Sequence, residues 1–147
     1  MAKLKTPEQK EKERDKRLQN TYGITADDYQ RMLEEQDYGC AICGSDGGER
    51  RLHVDHDHSF TKVKIKAIKE DHGWEAETIY RGVHWMDYGA TKSEAIQNLR
   101  LGLKTASVRS LLCWPCNRAL QAWRDKPELM EKAAEYLREF TGESPIT

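Results

Sequence analysis

The stretch CWPC at residues 113–116 repeats the cysteine spacing of CAIC at residues 40–43. Two residues between paired cysteines let both thiolates bind one tetrahedral zinc ion from a single tight turn, and Gly44 relieves the first turn sterically. Cys40, Cys43, Cys113 and Cys116 therefore predict a four-cysteine zinc site. Because a closed sulfur shell leaves no open coordination position, we expect this zinc to be structural rather than catalytic. Buried free cysteines, the alternative, would not require the paired spacing.

The two cysteine pairs lie farther apart in the chain than those of a zinc ribbon, and an insertion at 61–106 accounts for the excess. Its segments TKVKIKA, WEAETIY and VHWMDY predict three strands, the first with a basic outer face of alternating lysines. Thr91 and Glu94 predict a capping box for a helix that follows. Four residues share one face of that helix: Ala95, Ile96, Leu99 and Leu103.

The remaining segments predict helices and strands around the cysteine pairs. Thr6 and Pro7 begin a charged helix that runs to about Gln19. Thr25 and Asp28 cap a second helix, which Gly39 ends. Strands are predicted at 51–58 and 107–113, a short helix after CWPCN, and a last helix from about Pro127. The predicted division is a charged N-terminal helix (1–21), a core (22–60 and 107–140) and the insertion.

Composition limits the function classes. The 147 residues carry a net charge of only −1, although 33% are charged, so nucleic-acid affinity has to come from local basic patches. Neither a signal peptide nor a membrane-spanning apolar run is recognisable, which favours a cytoplasmic protein without membrane partners. Cysteines in such a reducing compartment are metal ligands more often than disulfides.

The stretch VDHDH at 54–58 concentrates titratable side chains at the end of a predicted strand. If zinc fixes the surrounding elements, Asp55 and the carbonyl oxygen of Asn117 are oxygen ligands suited to a catalytic Mg²⁺. His56 has the pKa range of a general base near neutral pH, and His58 would orient a phosphate or help hold the metal. Together they suit phosphodiester hydrolysis. Asp57 receives no role.

Strand geometry complicates this site, because alternation sends Asp55 and His56 to opposite faces of a straight strand. The strand must therefore twist or end at this point for both side chains to serve one site. The polar residues from position 55 onward favour an end. A solvated polar turn is the alternative interpretation of the cluster.

Three segments together resemble the phage recombination endonuclease VII family of HNH (ββα-metal) nucleases: YGITADDYQRMLEEQDYGCAICG, RLHVDHDH and VRSLLCWPCNRALQAWRDKPELMEKAAEYL. The resemblance implies an α+β fold, a zinc-stabilised ββα-metal nuclease core with N-terminal and C-terminal helices and the inserted sheet-plus-helix unit. It implies zinc on the four cysteines and Mg²⁺ or Mn²⁺ on Asp55 and Asn117. His56 would be the general base and His58 a further active-site residue.

The family activity that the resemblance implies is cleavage of branched DNA such as Holliday junctions, by dimers whose helices interlock. The expected partners are thus DNA and a second copy of the chain. The insertion and Ser110, where the family usually has glycine, depart from the family pattern and leave substrate preference open. The alternatives are an HNH nuclease that nicks or cuts plain duplex DNA, and a non-catalytic zinc-stabilised nucleic-acid-binding module that uses lysines 62–66 and Trp74, Trp85 and Trp114.

Overall fold

The computed structural model describes residues 4–141 and has a mixed α and β fold. Its helices are α1 (Pro7–Tyr22), α2 (Ala26–Glu35), α3 (Lys92–Ser107), α4 (Trp114–Ala122) and α5 (Pro127–Thr141). Its strands are β1 (His53–His56), β2 (Lys66–Glu70), β3 (Gly73–Tyr80), β4 (Val83–Gly89) and β5 (Val108–Leu112). A 3₁₀ helix, η1, spans His58–Lys62. No helix within the described range is long and apolar enough to cross a membrane.

The strands form two small sheets. β2, β3 and β4 make an antiparallel sheet in chain order, with Lys66 opposite Glu77 and Glu77 opposite Met86. β1 pairs with β5. The Asp57 amide donates to the Ser107 carbonyl at 2.9 Å, and the Arg109 side chain donates to the Asp55 carboxylate. Residue numbers that rise on β1 thus pair with falling numbers on β5, so the two strands are antiparallel.

The chain divides into two compact units. The first comprises the described residues up to Tyr38 together with Val54–Leu111; the second comprises Gly39–His53 and the described residues from Leu112 onward. The first unit thus holds α1, α2, η1, the three-stranded sheet and α3. The second holds both cysteine pairs, α4 and α5.

One buried hydrophobic cluster of the first unit comes from the predicted insertion. Its buried members are Ala76, Tyr80, Ala95, Leu99 and Leu103. Because Ala95, Leu99 and Leu103 recur every four residues, they lie on one face of α3, which packs against the three-stranded sheet. Partly buried side chains complete the cluster: Phe60, Val63, Ile65, Trp74, Trp85 and Ile96.

The end of α3 is also joined to the end of α1. The Thr105 hydroxyl donates to the Gly23 carbonyl at 2.9 Å, and the Lys104 ammonium donates to the Asn20 carbonyl at 3.0 Å. Gly23 caps α1 with φ 70°, and a Cβ there would lie 2.6 Å from the Thr105 hydroxyl oxygen. Glycine is therefore required at position 23 by conformation and by space.

Local signals predicted several elements correctly. Thr6 with Gln9, and Thr25 with Asp28, form reciprocal capping boxes at α1 and α2. The strands predicted from WEAETIY and VHWMDY are β3 and β4, and α5 begins at Pro127. The Thr91 hydroxyl caps α3 as predicted, but Glu94 accepts from the Ala90 amide instead of closing the box on Thr91.

Other element boundaries were wrong. α1 continues past Gln19 to Tyr22, and α2 ends at Glu35 rather than at Gly39. The predicted strand 51–58 is shorter, because Asp57 caps η1 and turns the chain after His56. The lysine strand is displaced for the same reason: Lys62 ends η1, and only Lys66 of the three alternating lysines lies on β2, where it forms an ion pair with Glu77 at 2.9 Å.

Leu103→Ala is expected to lower the free energy of unfolding of the first unit by about 2–5 kcal/mol, because a fully buried side chain leaves a cavity. Leu101→Ala is the matched control, since Leu101 lies on the same helix and is 54% exposed. Urea denaturation of both variants measures the difference. Equal midpoints would contradict the assignment of this cluster as the core.

Candidate functional site

The four cysteines come together in the second unit. Their sulfur atoms all lie within 4.8 Å of one another, and the Cys43 and Cys113 sulfurs are 3.6 Å apart. In a tetrahedral zinc site with bonds of about 2.3 Å, neighbouring sulfurs are separated by roughly 3.8 Å. A disulfide would bring two of them to about 2 Å. The cluster therefore has the geometry and the ligand chemistry of a structural zinc site.

Backbone hydrogen bonds shape each cysteine turn. The Cys40 amide donates to the Ser45 carbonyl and the Gly44 amide donates to the Cys40 carbonyl, both at 2.8 Å. Gly44 has φ 73° with open space around it, so its role is conformational. At Gly39 the backbone passes close to Gly44, since a Cβ at position 39 would lie 2.6 Å from the Gly44 carbonyl oxygen.

The second cysteine pair starts a helix rather than preceding one. Cys113 is the N-cap residue of α4, and the Asn117 amide donates to its carbonyl at 3.0 Å. The helix predicted after CWPCN therefore begins earlier, at Trp114. Proline in the first turn suits this start, because its missing N–H would have no partner there.

Cys40 and Cys116 differ in their tendency to ionise. Burial acts to raise the pKa of Cys40, but hydrogen bonds from the amides of Cys43, Cys113 and Ile42 bring it down to about 6. Burial and the neighbouring thiols raise the pKa of Cys116 above the ordinary range for cysteine. A divalent cation bound by the four sulfurs would supply the positive charge that clustered thiolates need.

Asp55 is held by an arginine within the first unit. Its side chain is 8% exposed, and both carboxylate oxygens accept from Arg109, at 2.6 Å from Nε and 2.9 Å from a terminal nitrogen. This is a bidentate arginine–carboxylate pair, which fixes the orientation of the carboxylate plane. Asp55 is thus a buried carboxylate that Arg109 holds in one orientation.

His56 and His58 are neighbours despite the residue between them. Their ring centroids lie 4.3 Å apart, and the Tyr22 ring meets His56 edge-on at 5.1 Å. Partial burial lowers the pKa of His56, and the charges of His58 and Arg109 act in the same direction against that of Asp55. The neutral imidazole, the form that can accept a proton, is therefore favoured at neutral pH. β1 ends at His56, as the polar pattern predicted.

Asp57, which received no role from the sequence, has four hydrogen-bond donors around its carboxylate. The Ser59 amide and hydroxyl donate at 2.8 and 2.7 Å, the Tyr80 hydroxyl at 3.0 Å, and Arg81 Nε at 3.3 Å. Burial opposes ionisation, but these donors outweigh it and bring the pKa of Asp57 to about 2. Asp57 therefore stays charged at every physiological pH.

The predicted site residues fall into both units. Asp55, His56 and His58 lie together in the first unit, on β1 and at the start of η1. Asn117 lies in the first turns of α4, in the second unit. Its pairing with Asp55 across a metal stays a prediction.

Arg109, Tyr22 and the Tyr80–Arg81 pair were not among the site residues predicted from the sequence. The signal for Arg109 was available, since a charged residue stood in the predicted strand SVRSLLC, opposite a strand that carried an acid. Tyr22 and Tyr80 had no local signal. Their positions beside His56 and Asp57 depend on how α1 and the β3–β4 hairpin pack.

Comparison with known proteins identifies a family and two relatives. Residues 15–139 match the family model described as recombination endonuclease VII. The Gene 59 proteins of Mycobacterium phage D29 and Mycobacterium phage L5 are 32% identical over 124 residues and 31% identical over 123 residues. These alignments cover 83% and 82% of this chain but 48% of each relative, so the chain spans about half the length of the curated relatives it matches. No solved structure matches significantly. The chain belongs to the recombination endonuclease VII family.

Proposed function

We propose that this chain is a metal-dependent DNA endonuclease that hydrolyses phosphodiester bonds, with branched DNA such as a Holliday junction as its preferred substrate. Family membership implies a recombination nuclease that acts on DNA. The observation that carries the finer proposal is the Asp55–Arg109 pair beside the adjacent rings of His56 and His58. An oriented carboxylate next to a neutral imidazole is what a metal-assisted hydrolase requires.

Each residue has one part in the proposed reaction. His56 takes the proton of the attacking water, and His58 donates a hydrogen bond to the phosphate. Asp55 and the Asn117 carbonyl would hold Mg²⁺ or Mn²⁺, which when bound stabilises the charge that builds on the phosphate and the leaving oxygen. The support for Asn117 is the resemblance to the family. β1, β5 and α4 follow in the order of a ββα-metal core.

Asp55 can serve a metal although Arg109 already contacts it. The two hydrogen bonds use one lone pair on each carboxylate oxygen, and each oxygen has a second lone pair. A carboxylate held in this way favours binding through a single oxygen. That suits Mg²⁺, which takes few protein ligands and keeps several waters.

Arg109→Gln is expected to weaken Mg²⁺ binding by about tenfold, because the partner that orients a metal ligand is lost. Arg109→Lys should weaken Mg²⁺ binding nearly as much, since a lysine ammonium cannot form the two parallel hydrogen bonds of a guanidinium group. Arg100→Gln, on exposed α3 surface, is the control. Calorimetric Mg²⁺ titration of each folded variant measures the effect. Unchanged affinity in Arg109→Gln would remove Arg109 from the site.

A substrate comparison tests the proposal. Purified protein with Mg²⁺ is incubated with matched duplex, nicked, single-stranded and four-way-junction DNA, and initial cleavage rates are compared. The expected result is cleavage that requires Mg²⁺ and is fastest on the junction. Equal rates on plain duplex would favour the nicking or double-strand nuclease instead, and absence of cleavage on all four would contradict the proposal.

A homodimer acting in the cytoplasm of a phage-infected cell is part of the proposal. The exposed apolar side chains on α5 support self-association: Tyr136, Leu137 and Phe140 are 61%, 60% and 74% exposed. A surface of this kind on one helix face suits helix pairing between copies. Light scattering at several protein concentrations distinguishes monomer from dimer.

A non-catalytic nucleic-acid-binding module is the second candidate function. Trp114 is 44% exposed, and the guanidinium groups of Arg50 and Arg118 lie 5.5 and 5.4 Å from its ring centroid. An exposed aromatic ring beside two cations suits stacking on a base next to phosphate. The lysines at 62–66 support this candidate less, because Lys66 is paired with Glu77. DNA binding without cleavage in Mg²⁺ would favour it.

A further inference from the structure

The turn between β3 and β4 ends beside the proposed nuclease site. β3 ends at Tyr80 and β4 begins at Val83, so Arg81 and Gly82 form a two-residue turn. Both have positive φ, 52° and 74°, as a type I′ hairpin requires. Arginine is unfavourable in this left-handed conformation, and such backbone strain is concentrated at functional positions.

The side chains of this turn reach back to Asp57. The Tyr80 hydroxyl and Arg81 Nε both donate to the same Asp57 oxygen, at 3.0 and 3.3 Å. Tyr80 is 2% exposed and is packed in the buried cluster of the first unit, and the Arg81 guanidinium lies 5.2 Å from the centre of its ring. The hydroxyl is therefore presented from a rigid position.

Asp57 in turn controls where His58 lies. Its carboxylate accepts from the Ser59 amide and so caps η1, whose first residue is His58. Its own amide is tied to the Ser107 carbonyl at 2.9 Å. With both ends of Asp57 fixed, the chain leaves β1 at the angle that brings the His58 ring to 4.3 Å from His56.

We infer that Tyr80 and Arg81 are positioning residues of the nuclease site, acting through Asp57 on His58, so that the inserted β3–β4 hairpin supports the active site. This inference rests on the proposed function. The insertion then contributes to catalysis by positioning His58 and has no separate binding role. Asp57, which received no role from the sequence, links the hairpin to His58.

Tyr80→Phe is the first test, because it removes only the hydroxyl. The expected result is a fall in kcat of about tenfold with KM for DNA nearly unchanged, because a misplaced His58 loses a hydrogen bond to the phosphate that is strongest in the transition state. Tyr88→Phe is the matched control: Tyr88 lies on the neighbouring strand, is 57% exposed and does not contact Asp57 in the described structure. A kcat for Tyr80→Phe equal to that of Tyr88→Phe would overturn the inference.

Arg81→Gly separates positioning from stability. Glycine suits the positive φ of position 81, so the variant should unfold at the same or a higher urea concentration. It also loses the Asp57 contact, so kcat should fall about threefold. Lower activity in a protein at least as stable supports positioning. Unchanged activity would contradict it.

Imidazole resonances distinguish failure of the inference from failure of the proposed function. In nitrogen-15 spectra of the full chain, Tyr80→Phe should shift the His58 ring signals and Tyr88→Phe should leave them unchanged. A shift in a chain that cleaves no DNA would support the link from Tyr80 to His58 and sink the nuclease proposal. If the chain cleaves DNA but its His58 signals do not respond to Tyr80→Phe, the positioning inference is contradicted and the nuclease proposal stands.

Discussion

The Cys113→Ser variant is expected to lose its zinc and, with it, the stable fold of the second unit. The described part of that unit has little apolar core. Neither α4 nor α5 has a buried residue there, and the buried apolar side chains are Cys40, Leu52, Leu112 and Cys113. A small unit without a sufficient core depends on a metal for its folding free energy. Serine removes one thiolate from a four-ligand shell.

Zinc content per chain and thermal unfolding of the second unit measure this effect. Ile42→Ser is the control, because Ile42 stands between the paired cysteines and is 57% exposed. It should retain one zinc per chain and an unchanged melting transition. Full zinc content in purified Cys113→Ser would show that the four sulfurs do not form the site.

His56→Ala is expected to lower the rate of DNA cleavage by about 10²–10⁴-fold, the usual contribution of a general base. Folding and DNA binding should be nearly unaffected, since the ring contacts of His56 within the described residues are with Tyr22 and His58. His53→Ala is the matched control, as His53 lies on the same strand and is exposed. Single-turnover rates at saturating protein measure the chemical step. Cleavage by His56→Ala at the rate of His53→Ala would rule out a base at position 56.

Local chemistry made much of the fold predictable. Thr6 and Thr25 cap helices because their hydroxyls accept from amides only three residues away, and the cysteine pairs bring their sulfurs together within single turns. The positions of β3 and β4 follow from alternation between two turn signals. In each case the deciding partner lies a few residues away in sequence.

The errors arose where distant partners decide the structure. α2 ends early at Glu35, and the Gln36 side chain pairs with both the amide and the carbonyl of Leu111, at 2.8 and 2.9 Å. The displaced β2 follows from Asp57, whose hydrogen bonds to Ser59 and Tyr80 favour η1 over a continued strand. No periodicity within either segment reports these contacts.

Some residues of the candidate site could be predicted from local sequence, and others could be found only from the fold. Asp55, His56 and His58 could be proposed from their residue types within one short stretch, and their rings and carboxylate lie on one segment of the first unit. Arg109, on a different strand, donates a hydrogen bond to Asp55, and Tyr80, at the end of β3, donates one to Asp57. Residues that orient the reacting groups are therefore the part of the site that needed the fold.

Metal-dependent cleavage of DNA by the zinc-loaded chain is the decisive measurement for a nuclease with His56 as its general base. Supercoiled plasmid and a four-way junction are incubated with the purified protein in a Mg²⁺ series, beside His56→Ala at the same concentration. We expect cleavage that rises with Mg²⁺, stops when Mg²⁺ is chelated without removal of zinc, and falls by at least about a hundredfold in the variant. Cleavage that persists without the divalent ion, or that is equal in the variant, would contradict this expectation.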